Sequence, residues 1–356
     1  MTDLADLKTI RQVIARAREI VDPSAFAWGA AGAGDGVTVA RNSIGLNSLA
    51  LVPRHMRNVE EVDTATSFVG IPLAFPVMLA PVGALGIYDA GDALAAAAAA
   101  TQVSTAIICS ELTTSPWEDV AATHPGHHIF QMYVFGDRDW MHEVAARVKQ
   151  AGFAAICVTV DTPILSRRDR SIEQVFGWSS PSPPNLQQHG SDPKFRARFT
   201  WEDLRWLVEN SELPVIVKGV MTVEDAVAAV ECGVAAIYVS NHGGRVVDHG
   251  MSTIEVLGEI VAAVGASVDV AVDSGFTSGA DVCKALALGA TAVGIGRLQC
   301  WGLAVGGTDG LVRVLDILKT EISITMANIG CREITEITPD RVRWSIPVPP
   351  SGPAFL

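Results

Sequence analysis

PVIVKGVMTVEDAVAAVECGVAAIYVSN, running from Pro214 to Asn241, reads as one complete strand–helix–strand unit. Pro214–Gly219 and Ala235–Asn241 are short runs of mostly apolar residues, the pattern of parallel strands buried on both faces. The segment between them, Thr222–Gly233, has a helical pattern. It opens on Thr222-Val-Glu-Asp225, a variant capping box, and closes at Gly233, a residue suited to a helix C-terminal cap. The same alternation extends outward from residue 77 to about 330. Val77–Pro81, Thr105–Ser110, Ile129–Val134 and Ala154–Asp161 come before the unit, and Val268–Gly275 and Thr291–Arg297 after it, with a further helix over Asp137–Ala151. Eight strands, each followed by a helix, predict an α/β fold of the (β/α)8 TIM barrel type. The rival, an open doubly wound sheet, seldom carries eight such regular units. Neither G-x-G-x-x-G after a first strand nor G-x-x-x-x-G-K-[ST] is present.

The rest of the chain is organised around that barrel. We expect one domain over residues 1–356, with an N-terminal capping segment at 1–76, the barrel at 77–330 and a C-terminal tail at 331–356. The N-terminal segment reads as a helix near Leu4–Val21, Gly- and Ala-rich sequence, then extended pieces around Leu49–Leu73. It is placed to close the bottom of the barrel or to supply its mouth. The longest stretch without a pattern, Phe176–Arg198, follows strand 4 and reads as a mobile lid or as a plain surface excursion.

Of 356 residues, 26 are Lys or Arg and 39 Asp or Glu, for a net charge of −13. That balance argues against nucleic acid or an anionic membrane as partner, while a few buried arginines can still favour a small anion. No apolar run reaches membrane-spanning length, and Met1–Asp22 lacks the apolar core of a signal peptide, so a cytoplasmic protein is expected. The cysteines, Cys109, Cys157, Cys232, Cys283, Cys300 and Cys331, form no C-x-x-C pair, which predicts buried free thiols and no metal site. His124-Pro-Gly-His127-His128 reads as a solvated turn at the end of the barrel away from the chemistry.

Barrel chemistry sits at the C-terminal ends of the strands. Those ends carry Gln131 and Tyr133, Thr159 and Asp161, Lys218, Ser240-Asn-His-Gly-Gly-Arg245, Asp273-Ser-Gly275 and Gly296-Arg297, with Arg168 shortly after strand 4. The loops after strands 7 and 8 commonly bind phosphate, and Gly275, Gly296 and Arg297 supply close backbone approach and a guanidinium there. His242 can take a proton near neutral pH, and Arg245 can grip a carboxylate with two parallel bonds. With Arg168 and Tyr133, they describe a pocket for an anionic substrate that loses a proton.

Val217-Lys-Gly-Val220, Val239-Ser-Asn-His-Gly-Gly-Arg245, Lys284-Ala-Leu-Ala-Leu-Gly-Ala290 and Gly294-Ile-Gly-Arg297 resemble the FMN-dependent α-hydroxy acid oxidizing enzymes. Phe130-Gln-Met-Tyr133 and Val158-Thr-Val-Asp-Thr-Pro163 match the same family, and the resemblance runs from about residue 28 to 331. It implies FMN as cofactor, a small anionic L-2-hydroxy acid as substrate, molecular oxygen as acceptor and a homotetramer. By the same resemblance His242 is the general base, Asp161 orients it, Arg245 and Arg168 hold the carboxylate, and Tyr133 bonds the reacting oxygen. Lys218 faces the flavin N1–C2=O edge. Ser110, Gln131, Thr159 and Ser240 belong to the flavin site, and backbone from Val82 and Gly83 lies against the ring. Asp273 meets the ribityl chain, while Gly275, Gly296 and Arg297 meet the phosphate.

Three positions depart from the family pattern. Trp28 stands where a tyrosine usually contacts the carboxylate, and reads equally as substrate contact or apolar plug. Leu112 replaces an aromatic, and Thr277 replaces an arginine near the phosphate, which implies either looser FMN binding or compensation by Ser278 and backbone amides. Thr113-Thr-Ser-Pro-Trp-Glu-Asp119 looks nearest to the lactate monooxygenase branch. Oxidation with transfer to oxygen is therefore the leading expectation. Oxidative decarboxylation, an oxygen-insensitive dehydrogenase, an FMN isomerase and a non-catalytic flavin-binding protein are the alternatives.

Overall fold

Every expected barrel strand forms. They are β1 (Val77–Leu79), β2 (Ile108–Ser110), β3 (Ile129–Met132), β4 (Ala155–Thr159), β5 (Val215–Val220), β6 (Ala236–Val239), β7 (Asp269–Val272) and β8 (Ala292–Ile295). In the computed structural model, which describes residues 4–169 and 192–348, neighbouring strands pair in parallel from β2 through β8 to β1. A parallel bridge between Leu79 and Ile107 closes the ring. Eight helices follow the strands in turn: α1 (Asp92–Gln102), α2 (Trp117–Ala122), α3 (Arg138–Ala151), α4 (Trp201–Asn210), α5 (Val223–Glu231), α6 (Thr253–Val264), α7 (Gly279–Ala287) and α8 (Arg297–Asn328).

The deciding unit folds as its residues require. The Thr222 hydroxyl accepts the Asp225 N–H at 3.1 Å, half of the expected box. Gly233, at φ +89°, donates its N–H to Val230 and turns the chain into β6, one residue beyond the helix cap at Cys232.

Alternation along each strand sorts the core into two layers. Met78, Ile108, Ile129, Cys157, Ile216, Tyr238, Ala271 and Ala292 fill the barrel interior. Their sequence neighbours, among them Val77, Cys109, Phe130, Val158, Val217, Ile237, Val272 and Val293, pack outward among the helices. Continuing the inward set by steps of two reaches Ser110, Gln131, Tyr133, Thr159, Asp161, Lys218, Ser240 and Asp273. The polar rim is therefore the upper continuation of the interior stack, and Cys109 is core as expected.

The N-terminal segment does both things open to it. The hairpin Thr66–Phe68/Ile71–Leu73 pushes Phe68, Ile71 and Leu73 into the interior from below, and the Val69 N–H bonds Asp269, the first residue of β7. Helices Pro23–Ala30 and Val37–Asn47 lie at the mouth instead. Thr38 N–H is held by Asp248, and Asn42 and Asn241 exchange side-chain bonds at 2.7 and 3.0 Å. In the tail, Val342–Trp344 pairs antiparallel with Leu49–Leu51.

Three local expectations need correction. The helix near Leu4–Val21 is a 3-10 turn, Leu4–Asp6, and a helix, Ile10–Ile20, because Thr9 and Gln12 form a capping box that starts a new helix. In the patternless stretch, Pro193–Ala197 is a 3-10 helix capped by Asp192. Residues 176–191, on which the lid reading rests, lie outside the described residues. The histidine turn is not solvated: His127 and His128 are buried, and His124 stacks on His127 at 4.1 Å. Burial drives the His128 pKa down to about 3, with the other two imidazoles adding to it. Among the described residues, no His, Cys, Asp or Glu cluster suits a metal, and no helix is long and apolar enough to cross a membrane. All six cysteines are free and buried.

Candidate active site

A cavity of about 1140 Å³ opens at the C-terminal ends of the strands. Trp28, Val82, Gly83, Tyr133, Arg168, Lys218, His242, Arg245, Asp273, Gly275, Gly296 and Arg297 line it, so most of the sequence-predicted site converges. Ser110, Gln131, Thr159, Asp161 and Ser240 are outside its lining, four of them buried and Asp161 partly so.

His242 comes from the turn after β6, where His242, Gly243 and Gly244 all have positive φ, +57°, +68° and +74°. Glycine tolerates this at the second and third positions, whereas the histidine carries strain of the kind that concentrates at functional sites. The turn is pinned by Ser240, whose hydroxyl accepts the His242 N–H at 3.1 Å, and by Ser274, which accepts the Gly243 N–H at 3.0 Å. Its imidazole Nδ1 lies 2.9 Å from Asp161 Oδ1, while Nε2 has no partner among the described residues. Burial pushes the Asp161 carboxyl up, yet the pair with His242 and the Lys218 charge hold it below the usual range. The pair therefore fixes the ring with Nδ1 protonated and leaves Nε2 as the basic atom.

Lys218 and Asp273 form a buried unit. Lys218 Nζ donates to Ser240 Oγ at 2.7 Å and lies 3.3 Å from Asp273 Oδ2, and Ser240 in turn donates to Asp273 Oδ1 at 2.6 Å. Burial works against the ammonium, but the Asp273 and Asp161 charges outweigh it and keep the pKa above the ordinary lysine value. Asp273 is thus already bonded to Lys218, Ser240 and Ser274.

The arginines behave less simply. Arg245 Nη1 donates to the carbonyls of Trp28, Gly29 and Ala31, at 2.9–3.0 Å. Arg297 donates to Gly29, Ala30, Ala31 and Gly243. Both guanidiniums therefore cap the C-terminal end of helix Pro23–Ala30, where orphan carbonyls favour cations. Arg245 keeps Nη2 without a partner among the described residues. The Trp28 ring lies between two of these charges, 4.9 Å from the Arg245 guanidinium and 5.8 Å from that of Arg168. Trp28 is a wall of the cavity packed on its cations, not a plug. Ser278 caps α7 through Asp281, so its hydroxyl is taken and does not offset Thr277.

Two features escaped the sequence reading. Arg196, on the 3-10 turn near the end of the patternless stretch, lines the cavity with its guanidinium 5.6 Å from the Tyr133 ring. Glu111 is buried one residue beyond β2 and accepts the Tyr133 N–H at 2.7 Å. Neither falls on a strand-end position of the inward set, so no periodicity marks them.

The cavity and its surroundings fit a flavin nucleotide. Gln131 accepts from Ser110 at 2.9 Å, but its Nε2, like Thr159 Oγ1, is buried without a partner among the described residues. Such atoms need a hydrogen-bonding ligand. Gly296 starts α8 with no side-chain cap, and a Cβ there would meet only open space, leaving the helix N-terminus clear for an anion.

The chain matches the FMN-dependent dehydrogenase family over residues 17–344. It is 40% identical over 325 residues to a peroxisomal (S)-2-hydroxyacid oxidase of Arabidopsis thaliana, covering 88% of this chain and 90% of that one. An L-lactate oxidase of Nostoc sp. is 36% identical over 336 residues, with 88% and 92% covered. A crystal structure of mandelate oxidase with benzoyl-formic acid superposes with a TM-score of 0.88 at 33% identity, over 96% of this chain and 99% of that one. With this barrel, this rim and relatives matched nearly end to end, the chain belongs to the FMN-dependent dehydrogenase family and is an FMN enzyme.

Proposed function

We propose that the protein oxidises an (S)-2-hydroxy acid to the 2-keto acid and passes the electrons to molecular oxygen. The observation that carries this reading is the His242–Asp161 pair at 2.9 Å, with the imidazole in the same cavity as Arg245 and Arg168. Relatives named as (S)-2-hydroxyacid and L-lactate oxidases support it.

Bound FMN supplies the two-electron acceptor. Ser110, Gln131, Thr159 and Ser240 belong to its ring site, Val82 and Gly83 to the backbone beside the ring, Asp273 to the ribityl chain, and Gly275, Gly296 and Arg297 to the phosphate. Arg245 and Arg168 bind the substrate carboxylate and present the hydroxyl-bearing carbon to His242. His242 Nε2 takes the proton from the hydroxyl or the α-carbon, and Asp161 stabilises the imidazolium that results. Burial and the Asp161 charge push the Tyr133 phenol up to about 12, so it stays protonated and donates to the reacting oxygen. Lys218, kept charged by Asp273, favours negative charge developing near it. A cytoplasmic location and a homotetramer belong to the same reading, the first supported by six buried free cysteines.

Anaerobic mixing with a panel of 2-hydroxy acids tests it. At least one member should bleach the flavin, and under air that substrate should yield hydrogen peroxide with the 2-keto acid. Carbon dioxide with the shortened acid would instead mark oxidative decarboxylation. His242→Ala should retain FMN and lose reduction, and an undiminished reduction rate would remove His242 from the base role.

A further inference from the structure

The cavity is lined by more arginines than this reaction uses. Arg168, Arg196, Arg245 and Arg297 all line it, and none forms an ion pair with a carboxylate among the described residues. Asp273 is paired with Lys218, and Asp161 is bonded to the His242 imidazole. Burial pushes the Glu111 carboxyl well above the usual range, against the Tyr133 N–H bond and the Arg196 charge. A phosphate monoester brings about two negative charges and a substrate carboxylate one. The oxidation reading assigns Arg245 and Arg168 to the carboxylate and Arg297 to the phosphate, and gives Arg196 no role.

Arg196 is the one whose position singles it out. Arg245 and Arg297 rest on helix carbonyls and Arg168 on Trp28. Arg196 instead lies over Tyr133 and Phe135, at 5.6 and 5.4 Å, and its hydrogen bond among the described residues is a long one from Nε to Pro193 O at 3.4 Å. A guanidinium over two aromatic rings is held by its cation–π contacts and keeps N–H donors for an acceptor. Arg196 thus stands at the Tyr133 end of the cavity, beside the residue proposed to bond the reacting oxygen. A partly buried cation with no ion pair among the described residues favours a second anionic group on the substrate and discriminates against an apolar one.

We propose that Arg196 is a specificity-determining residue and that the substrate is a 2-hydroxy acid bearing a second carboxylate. Arg245 and Arg168 hold the first carboxylate and Arg196 the second. The proposal rests on the oxidation reading above.

The holoenzyme should therefore be compared on (S)-malate and (S)-2-hydroxyglutarate against (S)-lactate and (S)-2-hydroxybutyrate. One diacid should exceed the monoacids in kcat/KM by about 10- to 150-fold, the value of one charge-assisted hydrogen bond. Arg196→Gln should collapse that ratio by a similar factor. Arg196→Lys, which keeps the charge but not the planar stack, should keep the larger share of it. A binding readout free of turnover comes from titrating the flavin absorbance with succinate and butyrate, where succinate should bind more tightly and lose that advantage in Arg196→Gln. Monoacids favoured in the parent, an unchanged ratio in Arg196→Gln, or equal loss in the Lys and Gln variants would each overturn the proposal and leave the oxidation reading standing. Flavin bleached by neither class would overturn the oxidation reading, and this proposal with it.

Discussion

Replacing Lys218 by methionine tests whether the buried charge pair is a unit. Lys218 and Asp273 are 3% and 6% exposed, so the substitution strands a carboxylate in the barrel interior. Removing one partner of a buried pair destabilises by about 3–5 kcal/mol. Ser240 and Ser274 still donate to Asp273 Oδ1, at 2.6 and 2.8 Å, which places the expected loss near the lower end, about 3 kcal/mol. For a chain of this size that lowers Tm by about 4 °C. Asp273→Asn alone strands the ammonium instead. The double variant Lys218→Met/Asp273→Asn removes both charges and should be less destabilised than the sum of the singles, by about 1–3 kcal/mol. Thermal and urea unfolding, followed by far-ultraviolet circular dichroism on flavin-loaded and flavin-stripped protein, measure the four corners of the cycle. Strict additivity, or a Tm loss under about 2 °C for Lys218→Met, would refute the claim that each charge is held in place by the other.

Other consequences follow from single contacts. Asp161→Asn should keep FMN but slow anaerobic flavin reduction by about 10- to 100-fold, because one charge-assisted bond to the imidazolium is lost; stopped-flow traces equal to the parent's would contradict this. His128 is neutral when folded, with a pKa of about 3 against 6.5 for a free imidazole, so its stability contribution is full above pH 6.5 and falls as pH drops. About 2 kcal/mol should be gone by pH 5, and His128→Gln should flatten that slope in urea titrations; a parental slope in the variant would assign the acid sensitivity elsewhere. A Cβ on Gly294 would lie 1.7 Å from Tyr238 Oη, so Gly294→Ala should destabilise by about 1–3 kcal/mol. Adding Tyr238→Phe should recover part of that loss, and no recovery in thermal melts would show that the clash lies elsewhere.

Periodicity explains which parts of the site were legible. In the strands every second residue faces the axis, so extending Ile216 to Lys218 or Cys157 to Asp161 finds rim residues without any tertiary information. Residues held by folding of the N-terminal segment carry no such mark. The bonds from Arg245 and Arg297 to Gly29 and Ala31 join positions more than 200 residues apart. Arg196 lies within a stretch without pattern, and Ser278 reads as a phosphate donor until its hydroxyl is seen capping α7. The histidine turn misled for a related reason: polar composition suggests solvent, and only packing against Thr101, Thr123 and Ile107 buries His128.

By itself, the sequence determined the eight strand–helix repeats, the inward polar set and the family, because all three are written in local spacing and contiguous motifs. The tertiary structure decided how the charges are shared. It paired Lys218 with Asp273, turned two arginines onto the end of a distant helix, set Trp28 between Arg168 and Arg245, and placed Arg196 beside Tyr133 with no ion pair among the described residues. Such partnerships depend on which groups burial leaves within about 3–6 Å of one another, a property of the folded chain that no local pattern records.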